Sequence, residues 1–271
     1  METQKLVDLH SHSRYSIDAD DNVMSMCKTA KEIGLSVYAI TDHCEFCTFV
    51  QDNFEHLIKR SFRDITVVRE KLQDCSFTLL RGIEIGSVME NIHDAEMLLR
   101  ELQFDLIIGS LHNLAGKDDF AFLDYDKENI NQLLSDYYDQ MYDLVNWGMF
   151  DTLGHLTYPL RYIEGEYGAN VDLSMVAEKI DRILKYQADH GKAIEINTSG
   201  LRQKYGKLFP ERDLIRRFHE LGGEYITVGS DAHCAEDVGK GISEGIQAAK
   251  AAGFGRITYF KHRCPYFIEI V

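Results

Sequence analysis

Short apolar segments that end in polar residues recur along the chain. Seven of them have the length and the continuous hydrophobicity of buried parallel strands: LVDLH, SVYAITDH, FTLLRGIEI, FDLIIGSLH, FDTLGHL, KAIEINTS and YITVGSDAH. The polar residues at their ends, from His10 to Asp231, follow one another at intervals of about 28 to 43 residues. Such intervals leave room for one helix between consecutive strands, so the pattern predicts alternating β-strands and α-helices.

The stretches between these strands have helical periodicity. In DLSMVAEKIDRILKYQADHG, the residues Val176, Ile180 and Leu184 fall on one face, and Gly191 follows as a helix stop. After the last predicted helix, RITYF and PYFIEI predict two further short strands. The sequence contains no internal repeat or low-complexity linker.

Alternating strands and helices can form an open doubly wound sheet or a closed barrel. An open sheet gathers its ligand site at one switch point, whereas here almost every predicted strand ends in His, Asp or Glu. The sequence therefore predicts an α/β fold, a distorted (β/α)7 barrel of the TIM type, with the site at the C-terminal ends of the strands. Barrels of about 250 residues are common as one domain, so we expect a single domain over residues 1–271.

Composition excludes several classes of function. Lys and Arg number 29 against 44 Asp and Glu, for a net charge of −15, which repels a nucleic-acid backbone. No apolar run reaches the roughly 18 residues that span a bilayer, and the first residues do not resemble a signal peptide. We therefore expect a cytoplasmic protein that binds neither nucleic acid nor membrane. The oligomeric state is left open.

The predicted strand ends carry metal-binding residue types. His10 and His12 are two residues apart on an extended chain, so both imidazoles face the same side, and Asp231 and His233 have the same spacing. The other strand ends supply His43, Glu84, His112 and His155. A single histidine at a strand end is usually an ordinary hydrogen-bonded residue. Burying this whole set together without a metal would be costly, so the set predicts a metal site.

The donor types restrict the metal. Nitrogen and oxygen donors without thiolate suit Zn, Fe or Mn, and the sequence does not choose among these three. Cys44 and Cys47 form the only CxxC pair among six cysteines. One pair lacks the second pair of a zinc ribbon, so packing is the expected role of these two thiols.

With these motifs the sequence resembles the polymerase and histidinol phosphatase (PHP) superfamily of metal-dependent phosphoesterases. The motifs HxH, TDH, the isolated Glu84, SLH, GHL and SDAH occur in the family's order and cover almost the whole chain. Within the superfamily, the segments HSRYSID, IGSLHNL and EINTSGLR are most similar to those of stand-alone histidinol-phosphate phosphatases.

The resemblance implies a site for three divalent metal ions. One ion would be held by His10, His12, Glu84 and Asp231, and a second by Glu84, His112 and His155, with Glu84 as the bridge. The third would be held by Asp18, His43 and His233. Asp18 lies six residues after His12, as in the family, although its loop offers other carboxylates, Asp20 and Asp21.

The implied reaction is hydrolysis of a small phosphomonoester, L-histidinol phosphate to L-histidinol and phosphate, in histidine biosynthesis. We expect attack by a metal-bridging hydroxide without a phosphoenzyme, with Glu84, Asp231 and His233 as catalytic residues. Arg161 and Arg202 are expected to bind the phosphate, because a guanidinium matches phosphate oxygens.

Some assignments stay open in the sequence. Relatives often carry an aspartate two residues after the histidine at the fifth strand, but here Thr157 follows His155 and Leu156. The proton donor to the leaving group is therefore open between metal-bound water and His233 or Asp231. Glu164 and Glu166 could face a cationic amine of the substrate, or be solvated surface. The alternatives in function are a PHP phosphoesterase for another small phosphate ester and a polymerase-associated PHP domain.

Overall fold

Seven parallel strands form the centre of the molecule in the computed structural model, which describes residues 4–271. In spatial order they are β1 (Leu6–Asp8), β2 (Leu35–Ile40), β4 (Thr78–Gly86), β5 (Leu106–Ser110), β6 (Thr152–Leu153), β7 (Ala193–Asn197) and β8 (Ile226–Gly229). A further short strand, β3 (His43–Glu45), pairs with the end of β4. The strands are almost entirely buried, as parallel strands covered by helices must be.

The first and last of these strands lie side by side, so the sheet curves into a nearly closed barrel. Leu9 N donates a hydrogen bond to Val228 O at 3.0 Å, and His12 N donates one to Ala232 O at 2.8 Å. The barrel predicted from the strand-end residues is confirmed. The close approach requires glycine at position 229, where a Cβ would collide with His10 Cβ and the Glu195 carboxylate.

Helices connect the strands and cover the outside of the barrel. They are α1 (Val23–Glu32), α2 (Phe54–Leu72), α3 (Ile92–Glu101), α4 (Ile130–Trp147), α5 (Ala177–Asp189), α6 (Arg212–Glu220) and α7 (Ile242–Ala252). In α2 the buried residues Phe54, Ile58 and Ile65 share the face that packs on the barrel. None of the helices within residues 4–271 combines the length and the apolar character that crossing a membrane requires.

Asparagine side chains fix the start of three helices. Asn22 accepts a hydrogen bond from Ser25 N before α1, and Asn129 accepts one from Gln132 N before α4. Asn91 makes the equivalent bond at α3. Because the first backbone N–H groups of a helix have no partner within it, these caps set where each helix follows its strand.

A β-hairpin closes the N-terminal end of the barrel. Strands β9 (Arg256–Lys261) and β10 (Cys264–Glu269) pair antiparallel, as the two C-terminal apolar segments predict. At the hairpin tip, Arg263 Nε donates to Asp151 Oδ1 at 2.7 Å, just before β6, and Arg263 N donates to Asp105 O at 3.0 Å, just before β5. The opposite end, where the strands end, remains open to solvent.

Candidate metal centre

The end of β1 places two imidazoles at the axis of the barrel. His10 Nε2 lies 3.3 Å from Glu84 Oε2, and His12 Nε2 lies 3.2 Å from Asp231 Oδ1. The backbone holds this arrangement, because Asp231 N donates to His10 O at 2.8 Å. The HxH motif and the SDAH motif, more than 200 residues apart in the chain, are thereby brought together.

Glu84 lies at the centre of the histidines and is fully buried. Its Oε2 is 2.7 Å from His43 Nδ1, and its Oε1 is 2.8 Å from His155 Nε2 and 3.3 Å from His112 Nε2. Ser110 Oγ donates to Oε1 at 2.6 Å. This placement follows from the register of the sheet, in which β4 lies between β3 and β5 and pairs Glu84 with His43.

A third group lies toward solvent. Asp18 Oδ2 is 3.1 Å from His233 Nε2 and 3.7 Å from His43 Nε2, and the Asp18 side chain is 54% exposed. The alternative carboxylate Asp21 instead accepts a hydrogen bond from Ala235 N at 2.8 Å. Among the three aspartates of this loop, Asp18 is therefore the one placed against both histidines.

These side chains form clusters of metal-ligating geometry. Within the described residues, the ligand atoms of four groups lie within 4.8 Å of one another: His10, His12 and Asp231; Glu84, His112 and His155; His12, His43 and His233; and His43, Glu45 and His112. These groups contain every metal ligand expected from the sequence except Asp18, which lies beside His43 and His233 but outside the four groups. The structure adds Glu45, which the sequence did not single out.

Burial and proximity perturb the ionisation of the centre. Burial works to raise the pKa of Glu84, but the surrounding His10, His112 and His43 outweigh it and hold this pKa well below its usual range. Burial lowers the pKa of His12, and the neighbouring His43 and His233 lower it further. Burial also works to lower the pKa of His10 and His112, but the neighbouring carboxylates outweigh it and raise both pKa values.

Two carboxylates, the buried Glu195 and the partly buried Glu45, orient the histidines and escaped the sequence reasoning. Glu195 Oε1 accepts from His10 Nδ1 at 2.7 Å, and its Oε2 accepts from His155 N at 3.0 Å and from Asn197 Nδ2 at 3.2 Å. Glu45 Oε1 accepts from His112 Nδ1 at 2.7 Å. The available signal was an acidic residue inside the apolar strand AIEIN, where a charge without a partner would be costly.

A cleft of about 770 Å³ opens above the cluster, and both predicted arginines line it. Arg202 donates from one terminal nitrogen to Ser230 O at 2.9 Å, while its other terminal nitrogen, Nη1, is buried without a hydrogen-bond partner in the described chain. The Arg161 guanidinium lies over the Tyr162 ring, 5.2 Å from its centroid. Two guanidinium groups therefore border the same opening as the histidine cluster.

The other residues considered from the sequence lie outside the histidine cluster. Glu164 pairs with Lys207 at 3.1 Å, and Glu166 pairs with Lys204 at 2.6 Å. Cys44 is buried in the core as a free thiol, and Cys47 lines the cleft as a free thiol. Neither glutamate lies among the residues that line the cleft.

Comparisons with a family profile and with individual proteins find similarity to the same family over most of the chain. The family profile of the PHP domain matches residues 8–199. A probable histidinol-phosphatase of Thermotoga maritima is 30% identical over 251 residues, which is 92% of this chain and 93% of that protein. The histidinol-phosphatase of Lactococcus lactis is 26% identical over 259 residues, or 94% of each chain.

A solved structure shares the fold. The crystal structure of histidinol phosphate phosphatase from Lactococcus lactis, in complex with Zn, L-histidinol and phosphate, superposes with a TM-score of 0.83 at 24% identity. The match covers 97% of this chain and 100% of that one. The fold is thus shared over nearly the full length of both chains.

Proposed function

The chain belongs to the PHP domain family, and from this premise we propose that it is a metal-dependent phosphomonoesterase whose substrate is L-histidinol phosphate. The observation that carries the proposal is the meeting of the strand-end histidines and carboxylates with two arginines at one cleft. The relatives named histidinol-phosphatase, which match nearly the full chain, support this substrate. An assay with other small phosphate esters tests the alternative within the family.

The residues of the centre fit divalent metal ions. His10 Nε2, His12 Nε2 and Glu84 Oε2 are buried, and within residues 4–271 none of them has a partner with the geometry of a hydrogen bond, although imidazoles and carboxylates face them at 2.7–3.3 Å. Buried polar atoms without partners are rare in stable proteins, and metal ligation accounts for these three. The donors are imidazole nitrogens and carboxylate oxygens, which suit Zn, Fe or Mn.

We assign three ions to the centre. His10, His12, Glu84 and Asp231 would hold the first; Glu84, His112 and His155 the second; and Asp18, His43 and His233 the third. Glu84 fits the bridging role, because each of its two oxygens faces histidines of a different group. When bound, such ions activate water and neutralise phosphoryl oxygens.

The arginines account for the binding of the phosphate. Nη1 of Arg202 is a buried donor without a partner in the described chain, and a phosphate oxygen would satisfy it with a charge-assisted hydrogen bond. Arg161 borders the same cleft, and its guanidinium contacts the Tyr162 ring. Together they orient the phosphoryl group toward the histidine cluster.

Hydrolysis breaks the bond between phosphorus and the alkyl oxygen and forms one between phosphorus and a water oxygen. A proton must move from that water to the leaving alkoxide. Asp231 and His233 lie beside each other at the solvent side of the cluster, with Asp231 Oδ1 3.6 Å from His233 Nδ1. We propose that this proton passes through Asp231, His233 or a water beside them, and that Glu84 anchors the centre.

We further propose that residues 1–271 act as one domain in the cytoplasm, the first three lying outside the described part. One large hydrophobic cluster joins most of the barrel, its helices and the closing hairpin, and a second cluster lies beside α1 and α2. Leu6 and Leu57 pack against both clusters, which supports a single domain. All six cysteines are free thiols, as expected in a reducing compartment.

Release of inorganic phosphate from L-histidinol phosphate tests the proposal. Metal-replete protein should release phosphate from this ester in strong preference to propyl phosphate, and the His155→Ala variant, which lacks a proposed ligand, serves as the blank. Turnover of both esters without preference would shift the substrate to another small phosphate. Absence of turnover on both, with metal bound, would refute the hydrolase assignment.

A further inference from the structure

Most carboxylates of the cleft are already engaged by cations of the protein. Glu45 accepts from His112 at 2.7 Å, and Asp237 pairs with Lys240 at 2.8 Å and with Arg202 at 3.4 Å. Asp118 is exposed, so a charge pair there would be screened by water. Asp119 remains as a half-buried carboxylate on the wall of the cleft.

The backbone places Asp119 next to the metal centre. Residues Asn113 and Asp119 form an antiparallel bridge, which turns the loop after β5 back toward the cleft. Both carboxylate oxygens accept from Tyr158 OH, at 3.2 and 3.3 Å, and Oδ1 also accepts from Ala121 N at 2.7 Å. These hydrogen-bond partners are neutral, and Asp119 forms no ion pair within residues 4–271, although its charge acts at longer range on Arg161.

Tyr158 lies between Asp119 and the histidines and sets the distance from the Asp119 carboxylate to His112 and His155. The Tyr158 ring centroid is 5.0 Å from the ring centroids of both His112 and His155. Asp119 is therefore one phenol ring away from the place where the phosphoryl group would react. That separation matches a substrate with a cationic group a few bonds from its phosphate.

An aromatic ring lies on the same turn. Asp119 accepts the N–H that starts the short helical turn Phe120–Phe122; the first phenylalanine is buried, whereas Phe122 is 80% exposed and lines the cleft. One turn thus presents a carboxylate and an exposed apolar ring to the same opening.

We propose that Asp119 binds the ammonium group of the substrate and that Phe122 packs against its ring, so that the cleft selects phosphate esters of amino alcohols with an aromatic group. The proposal rests on the phosphatase function above and names the determinant of its substrate class. An ammonium donating to Asp119 gains a charge-assisted hydrogen bond at a partly buried site. The arginines and Asp119 give the cleft charges of both signs, which complement the two charged groups of such an ester.

The test compares two esters that differ only in the amine. L-histidinol phosphate carries it, and 3-(imidazol-4-yl)propyl phosphate lacks it. Asp119→Asn should lower kcat/KM for L-histidinol phosphate by about 10- to 100-fold, chiefly through KM, as expected for losing a hydrogen bond to a charged group, and should leave the amine-free ester within about twofold. Asp118→Asn, on the same loop but exposed, is the matched control and should change neither ester. Phe122→Ala should weaken both imidazole esters relative to propyl phosphate.

The outcomes separate this inference from the function on which it rests. Equal losses on both imidazole esters in Asp119→Asn would overturn it, because Asp119 would then act only by holding Tyr158. Unchanged kinetics in that variant would overturn it as well. If the wild-type enzyme hydrolyses all three esters without preference, the hydrolase function stands and this inference fails. If it hydrolyses none, both fail.

Discussion

Two carboxylates, the buried Glu195 and the partly buried Glu45, decide which nitrogen of the neighbouring histidine faces the metal centre. Glu195 accepts a hydrogen bond from Nδ1 of His10, and Nε2 of His10 therefore faces Glu84. Glu45 accepts a hydrogen bond from Nδ1 of His112, and Nε2 of His112 therefore faces Glu84 and His155. Such carboxylate partners fix the tautomer and raise the basicity of a ligating imidazole, so metal affinity depends on residues that do not touch the metal.

We expect the Glu195→Gln variant to bind metal about 10- to 100-fold more weakly while remaining folded. Both oxygens of Glu195 accept hydrogen bonds, from His10 on one side and from His155 N and Asn197 on the other. A glutamine has only one oxygen, so its NH₂ group must oppose a donor. Metal content after dialysis against a weak chelator, together with circular dichroism, measures the effect.

Exposed Glu220→Gln on α6 is the control and should retain wild-type metal content. Full metal loading in Glu195→Gln would show that the orientation of His10 does not depend on this carboxylate.

The arginines are expected to affect substrate binding and not metal binding. Changing Arg202 or Arg161 to Ala should raise KM or reduce kcat/KM for the phosphate ester by about 10- to 100-fold, the cost of a lost charge-assisted hydrogen bond, with metal content unchanged. Lys204→Ala is the matched control, because Lys204 lies near the cleft but is paired with Glu166. Steady-state kinetics and metal analysis of the three variants check this, and unchanged kinetics in both arginine variants would reject the phosphate clamp.

For single residues, the sequence identifies the expected metal ligands more readily than the residues that hydrogen-bond to them or line the cleft. His10, Glu84 and Asp231 stand out because ionisable residues at the ends of several buried apolar strands have few roles besides building a ligand site. Glu195 and Asp119 do not stand out, because their roles depend on which side chain lies opposite in space. For Glu195 the partner is set by the register of the strands, and for Asp119 by the loop after β5, which turns back toward the cleft. Neither produces a recognisable pattern in the neighbouring sequence that names the partner.

Glycine at position 229 permits a close approach between β8 and the segment that follows β1. Gly229 is the last residue of β8 and lies against His10 and Glu195. This close approach brings the segment after β1 within hydrogen-bond distance of the segment after β8, and His12 N donates to Ala232 O. Two of the three proposed metal sites take ligands from these two segments.

We therefore expect Gly229→Ala to reduce both metal content and stability. The added methyl group would meet His10 Cβ, which is fixed by its backbone, and the Glu195 carboxylate, which is held by hydrogen bonds, so β8 must move away from β1. A loss of about 1–3 kcal/mol in the free energy of unfolding is typical of overpacking. Chemical denaturation and metal analysis measure the two effects.

Gly255→Ala is the matched control, because a methyl group there meets no atom within 4 Å. If Gly229→Ala matched this control in both stability and metal content, the packing between β1 and β8 would not be what holds the two motifs together.

The elements themselves were largely predictable. Each of the seven apolar segments forms a strand, and the two C-terminal segments form the hairpin. The FDTLGHL segment is regular only over Thr152–Leu153, and β3 was not predicted. Both differences arise near the site, where the backbone leaves the regular ladder to turn its histidines inward, and hydrophobic periodicity carries no information about such departures.

The two ends of the barrel have different roles, ligand binding at one and stability at the other. The metal centre and the cleft lie where the strands end, whereas the N-terminal end is closed by the hairpin through Arg263 and the buried Asp151. Barrel enzymes in general place chemistry at the first end and stability at the second. Perturbations of the two ends should therefore act independently.

This independence can be measured. Arg263→Ala leaves Asp151 buried without its guanidinium partner and should lower the free energy of unfolding by about 1–3 kcal/mol, with kcat/KM and metal content unchanged. Chelation should abolish turnover and also lower the melting temperature, because ions that bind only the folded state stabilise it. Exposed Arg212→Ala is the control for loss of an arginine.

Because the two sites share no partners, the destabilisations from Arg263→Ala and from chelation should add within about 0.5 kcal/mol when measured together by denaturant titration. A clear departure from additivity, or a loss of metal in Arg263→Ala, would mean that the hairpin acts on the site through the barrel. The closing hairpin would then contribute to metal binding as well as to stability.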